Sequence, residues 1–190
     1  MASHSLVATA PLGGFHLDLG GTEIAAITDR ALVSAAVPLG GESAFAAALT
    51  SAYGVTRPET GQSAVTKDGG TRIMGMQPDQ VFILFDYSED TSPAATVSDA
   101  LGDGAYMADQ SDSWAMLRLS GANARLALER ICMLDLTDAA FPDGRVARTV
   151  MEHLAVIVQR DGAESFLLMS PRSSAPAFLH AVETSARNLD

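Results

Sequence analysis

His16 and Asp18 lie two apart in an extended stretch, so both side chains point to one side of a strand, as a metal pair or an acid/base pair requires. A metal site needs three or four ligands, and no second cluster of His, Cys or carboxylates has ligand spacing. The pair therefore reads as the polar outer face of an edge strand. Glu152 and His153 are adjacent, and neighbours on a strand face opposite ways, so they work together only where a bulge re-aims one of them. Asp109, Ser111, Asp112 and Ser113 offer oxygen ligands, but without the glycine and terminal glutamate of a calcium loop they read as turn and cap residues. Arg172 beside Ser173 and Ser174 has the chemistry to hold an anion at a helix start, where serines more often serve as caps. Cys132 is unpaired and sits in an apolar helical register, which favours a small buried residue over a nucleophile.

Other reaction classes lack their signatures. The glycine pairs at 13, 20, 40 and 69 match neither G-x-G-x-x-G nor G-x-x-x-x-G-K-[ST] in a strand-to-helix setting. No G-x-S-x-G elbow accompanies the four histidines. Acidic residues outnumber basic ones 23 to 12, for a net charge of -11, and Lys67 is the one lysine. That balance argues against nucleic acid and against an anionic membrane surface, because phosphate neutralisation needs clustered cations. A chain of 190 residues, 47% hydrophobic and 18% charged, reads as globular, with no apolar run long enough to span a bilayer. Met1 to Pro11 has neither the basic start nor the long apolar core of a secretory signal, so none is expected, and with a single cysteine the cytoplasm is the expected compartment.

The elements that must position these residues follow from periodicity. Ser113 to Leu119 alternates, with Ala115, Leu117 and Leu119 on one side and Trp114, Met116 and Arg118 on the other, a strand used on both faces. Ser120-Gly121 breaks it, and Ala124, Ala127, Leu128 and Ile131 then repeat at helical spacing. Upstream, residues 1-12 form a loose arm. Short strands are expected over Phe15 to Leu19, Glu23 to Thr28 and Ala31 to Val37, then a helix capped by Ser43 and stopped by Gly54. Val55 to Lys67 reads as an exposed loop, Thr71 to Met76 and Gln80 to Asp86 as a hairpin, and Ser92-Pro93 as the start of a helix ending at Gly102. Downstream, Arg145 to Arg160 is one long extended run, Asp161-Gly162 a hairpin turn, Glu164 to Ser170 a strand, and the segment after Ser173-Ser174 a last helix.

The order strand, helix, strand pair, helix thus occurs twice. The expected architecture is α+β, with duplicated β-α-β-β-α (ferredoxin-like) halves and antiparallel sheets. The halves, residues 13-104 and 105-190, together make one compact domain. Each sheet has helices on one face, so its other face needs cover from the other half or from another chain.

Asp109-x-Ser111, the strand, Leu119-Ser120-Gly121, Ala124 and the Leu134-Asp135-Leu136 exit resemble a segment of the aminomethyltransferase-like folate-binding superfamily. Within it, the sequence is most similar to the gamma-subunit family of bacterial heterotetrameric sarcosine oxidase. Phe141-Pro142 with Gly144, Ala147-Arg148-Thr149, Glu152-His153, Phe166-Leu167-Leu168 and Arg172-Ser173-Ser174 with Phe178-Leu179-His180 add to the likeness, which covers roughly Tyr106 to Asn188. The resemblance implies a non-catalytic subunit that packs against companion alpha, beta and delta subunits, chiefly alpha. It places FAD, FMN, NAD, tetrahydrofolate and zinc on those companions and no cofactor on this chain.

Folate-using relatives look to an acid in a Gly-Gly-hydrophobic-Asp hairpin. Here the corresponding places carry Gln159, Arg160 and Asp161 in one half and Gly69-Gly70-Thr71-Arg72 in the other. The residues expected at a partner interface are Trp114, Met116, Arg118, Glu152, His153 and Arg172, because Trp, Met and Arg are favoured there. The alternatives are a free-standing folate-dependent aminomethyltransferase and a docking module of another flavin-dependent amine dehydrogenase.

Overall fold

The computed structural model describes residues 9-87 and 92-189. The strands are β1 (His16–Asp18), β2 (Glu23–Ala26), β3 (Arg30–Ala36), β4 (Ser63–Val65), β5 (Thr71–Gln77), β6 (Gln80–Asp86), β7 (Tyr106–Asp109), β8 (Trp114–Ser120), β9 (Val146–Met151), β10 (Leu154–Arg160) and β11 (Ser165–Pro171). The helices are α1 (Glu42–Tyr53), α2 (Pro93–Leu101), α3 (Ala124–Glu129) and α4 (Ala175–Arg187). Sheet A runs β1-β2-β8-β11-β10-β9 and sheet B runs β4-β5-β6-β3-β7, with every pairing antiparallel.

The duplication is visible in the strand order. One unit, β3-α1-β4-β5-β6-α2, arranges its strands second, third, fourth, first; the other, β8-α3-β9-β10-β11-α4, does the same. Each unit therefore has one more strand than the expected β-α-β-β-α. In the first, β4 occupies part of the segment expected to be loop. In the second, the long extended run divides into β9 and β10 at Glu152-His153, with Met151 paired to Leu154. A cut between residues 104 and 105 is crossed by the sheets, because the units exchange strands. β2, which precedes β3, joins β8, and β7, which precedes β8, joins β3.

Alternation along the strands builds three apolar layers. On β8, Ala115, Leu117 and Leu119 meet α3 and α4, packing with Phe166, Leu168, Phe178 and Val182. On β3 and β6, Val33, Ala35, Val81 and Ile83 meet α1 and α2 through Phe45, Leu49, Val97 and Leu101. The opposite faces close on each other, with Leu32, Met74, Met76, Phe82 and Leu84 of sheet B against Met116, Ile157, Leu167 and Met169 of sheet A. The order of layers is helices, sheet, sheet, helices. Cover for each sheet comes from the other unit.

Local chemistry sets the ends of the elements. α1 begins at Glu42 with Gly41 in the cap position, two residues earlier than a Ser43 cap implies, and Gly54 stops it in the left-handed conformation. α2 opens on Pro93, where the missing N–H has no partner to lose. α3 ends at Glu129, so Cys132 leaves the helix and bridges Met151 of β9. α3 and α4 touch closely, and the buried Ser185 hydroxyl donates to the Ala127 carbonyl at 2.7 Å. Of the expected arm, residues 1-8 lie outside the described residues. Thr9 is held by Arg172 and Leu12 packs on the sheet A core.

Candidate functional site

The face of β8 that carries Trp114, Met116 and Arg118 looks at sheet B. Met116 is 5% exposed among Met74, Met76, Phe82 and Met169, so it fills the layer between the sheets. The Trp114 ring meets Phe82 edge to face, centroids 6.2 Å apart at 67°, and its buried indole N–H has no partner among the described residues. Burying that donor costs roughly 1–3 kcal/mol, which the ring's apolar contacts must outweigh. Arg118, 46% exposed at the side chain, lies beyond the apolar part of the layer.

There the layer turns ionic. Asp161, in the β10–β11 turn, receives Arg72 of β5 and, at 2.9 Å, Arg118 of β8. Arg72 also donates to the Ser63 hydroxyl of β4 at 3.1 Å. Burial pushes the Arg72 guanidinium below its ordinary value, and the carboxylates of Asp161 and Asp143 push it back up. The network ties both sheets and both units together. It also neutralises the acid of this hairpin with two guanidinium groups.

A second buried cation is structural too. Arg160, on the helix side of β10, donates to the carbonyls of Phe141 at 3.0 Å, Leu136 at 3.3 Å and Gly162 at 3.1 Å, pairs with Asp138 at 2.7 Å, and lies over the Phe166 ring. Every face of its fork is engaged. The adjoining cavity of about 470 Å³, lined by Arg125, Thr137 and Arg160, therefore offers an anion no unpaired fork.

The remaining predicted residues separate. His16 Nε2 is 2.8 Å from Glu23 across the β1–β2 pair, whereas Asp18 accepts from the Gly20 N–H. Among the described residues no group of three His, Cys, Asp or Glu is arranged to hold a metal. Glu152 and His153 are not strand neighbours on opposite faces; they form the two-residue turn of β9–β10, with Glu152 in the left-handed region at φ 52°. Ser111 crosses to β3, its hydroxyl accepting the Leu32 N–H at 3.0 Å, while Asp109 accepts the Ser111 N–H. Arg172 pairs with Asp112 at 3.0 Å and donates to the Thr9 carbonyl, pinning the arm. Ser174 occupies the cap position of α4 without a side-chain cap bond. Burial pushes the Cys132 thiol up, away from nucleophile chemistry.

Periodicity overlooked Arg72 and Arg160. Arg160 had a signal, since it shares the strand face of Val156 and Val158, where a charge must be fully partnered. Arg72 had none, because its acid lies 89 residues away.

Residues 39–187 match the model of the sarcosine oxidase, gamma subunit family. Among similar proteins, sarcosine oxidase subunit gamma of Corynebacterium sp. (strain P-1) is 31% identical over 140 residues, 73% of this chain and 66% of the relative. Its counterpart in Corynebacterium sp. (strain U-96) is 29% identical over 129 residues, 67% and 62% respectively. The chain thus spans somewhat under two thirds of the length of these relatives. A chain of the heterotetrameric sarcosine oxidase from Corynebacterium sp. U-96 in complex with pyrrole 2-carboxylate superposes with TM-score 0.78 at 21% identity, covering 95% of each chain. The glycine cleavage system aminomethyltransferase T from Bartonella henselae superposes with TM-score 0.60 at 15% identity, over 83% of this chain and 44% of that one. These two structures show that the chain shares their fold. The chain belongs to the sarcosine oxidase gamma-subunit family.

Proposed function

We propose that this chain is a structural subunit of a heterotetrameric sarcosine oxidase, which oxidatively demethylates sarcosine to glycine in the cytoplasm. It assembles with alpha, beta and delta subunits, chiefly alpha, and brings no reacting group of its own. The family match over residues 39–187 supports the identity of the complex. The observation that carries the non-catalytic role is the ionic network at the second hairpin. A pterin-binding relative needs a carboxylate turned to its ligand. Asp161 is turned instead to Arg72 and Arg118, so the residues here do not fit a folate, and no step runs through one. FAD, FMN, NAD, tetrahydrofolate and zinc belong, on this reading, to the companion subunits.

Co-expression with and without this chain, followed by sarcosine-dependent oxygen consumption of the purified complex, tests the assignment. Omission should lower the yield of assembled complex, and adding the separately purified chain should restore it. A complex that forms and turns over normally without the chain ends the proposal. Micromolar tetrahydrofolate binding by the isolated chain, abolished by Asp161→Asn, would replace it with the aminomethyltransferase reading.

A further inference from the structure

Resting on that assembly reading, we infer that the end of sheet B carrying Leu39 and Tyr106 is the surface that docks a companion subunit, into an apolar recess ringed by lysines or arginines. Leu39 is 105% exposed and Tyr106 is 71% exposed. Tyr106 pairs with Ala36 where β3 ends, and Leu39 follows three residues later, so both lie at one end of the sheet. β7 is the outermost strand there, with no strand beyond it among the described residues. Leu39 stands between Pro38 and Gly40, whose φ is 73°, in a tight bend closed by the Gly41 N–H to the Pro38 carbonyl. A leucine held outward on a short, hydrogen-bonded bend is preorganised for a pocket, which lowers the ordering cost of binding.

The charges around it select the partner. Glu42 opens α1 three residues after Leu39, the Asp79 carbonyl accepts the Val37 N–H, and Asp103 lies in the turn just before β7. All three are exposed, and among the described residues none of their carboxylates is in an ion pair. Arg57, the cation near Asp79, lies over the Phe45 ring and donates to the Pro78 carbonyl. A second copy of this chain would bring the same acids against them, and a phosphate-rich surface would be repelled likewise. A basic-rimmed apolar recess on a companion subunit satisfies both the leucine and the acids.

The test measures binding of the full chain to the purified companion subunits. Circular dichroism and the thermal midpoint check the fold of each variant. Leu39→Asp, Tyr106→Ala and their combination should weaken binding, the double variant by about 30-fold or more, as loss of a central anchor does. Met133→Asp, a change at an apolar residue 82% exposed after α3, should stay within about twofold. Glu42→Gln with Asp79→Asn and Asp103→Asn should slow association and flatten its salt dependence. Because Leu39 touches little, Leu39→Asp alone carries the test if the double variant unfolds. Unchanged binding by folded Leu39→Asp, or equal weakening by Met133→Asp, overturns the surface while leaving the assembly reading intact. Failure of the wild-type chain to bind the companions overturns both. A wild-type dimer in sedimentation that Leu39→Asp dissolves assigns the surface to self-association and overturns the proposal.

Discussion

The two lent strands make the most instructive comparison in the molecule. β2 is lent to sheet A and is itself covered by β1, with Ile24 fully buried and His16 paired to Glu23 at the rim. β7 is lent to sheet B, and among the described residues no strand pairs with its outer edge; Met107 packs on the sheet B core, while Tyr106 is 71% exposed. One device, two finishes. An edge strand with an exposed aromatic is a liability in a free chain, and natural proteins blunt such edges unless something pairs with or covers them. The unfinished edge is where a subunit can afford to be incomplete.

We expect the attachment of β2 to be the more rigid of the two. Its turn presses on the turn after β8, where Gly121 lies at φ 108° and the Gly21 carbonyl also accepts the Asn123 N–H. A Cβ at Gly121 would come to 2.5 Å from that carbonyl. Gly121→Ala therefore combines a backbone strain with a clash against main chain that cannot rotate away. We expect a loss of about 3 kcal/mol or more, seen as a lower urea midpoint with early exchange of β2 amides.

The next effect falls on the ionic network between the two sheets. Asp161→Ala removes the acid between Arg72 and Arg118 and leaves a half-buried guanidinium without its carboxylate. Breaking a buried pair costs 3–5 kcal/mol, and the partial exposure here reduces that to roughly 2 kcal/mol in urea unfolding. A loss under about half a kcal/mol would show that the network contributes no more than a surface pair.

β7 pairs with β3 alone among the described residues, and we expect its own variant to cost less. Ser111→Ala deletes the acceptor of the buried Leu32 N–H, for a loss of about 1–2 kcal/mol, with β7 amides exchanging sooner than those of β2. Equal protection of the two strands in the wild-type chain would erase the comparison.

What could be read in advance divides along the same line. β8, the hairpin at Gln77 to Gln80, the turn at Asp161-Gly162 and the inner faces of α2 and α4 all follow from local period and turn chemistry, and so does the doubled order of elements. The destinations of β2 and β7 do not, because a strand's alternation records that a face is buried but not by which partner. For the same reason Met116 reads equally well as interface or core; the inter-sheet layer decides it. β4 is three residues long, too short for a period to register. Of the candidate site, the exposed end at Leu39 gave no pattern at all, since a single leucine between Pro38 and Gly40 reads as ordinary loop.

The smallest predicted effect compares the same hairpin in the two units. Between β4 and β5 the chain turns through five residues and gives the left-handed position to Gly69, at φ 78°. Between β9 and β10 it turns in two and gives that position to Glu152, whose side chain must bear the crowding that glycine avoids. The Glu152 N–H donates to the Ile131 carbonyl at 3.0 Å, so the turn is fixed from outside and the strain cannot relax by reshaping it. An L-residue in this region costs about 1–2 kcal/mol, whereas glycine there loses more chain entropy on folding, about 0.5–1 kcal/mol. Glu152→Gly should therefore raise stability by roughly half a kcal/mol, and Gly69→Glu should lower it by a comparable or larger amount. Thermal midpoints that move the other way in both variants would mean that the turn after Met151 is held by the glutamate side chain rather than in spite of it.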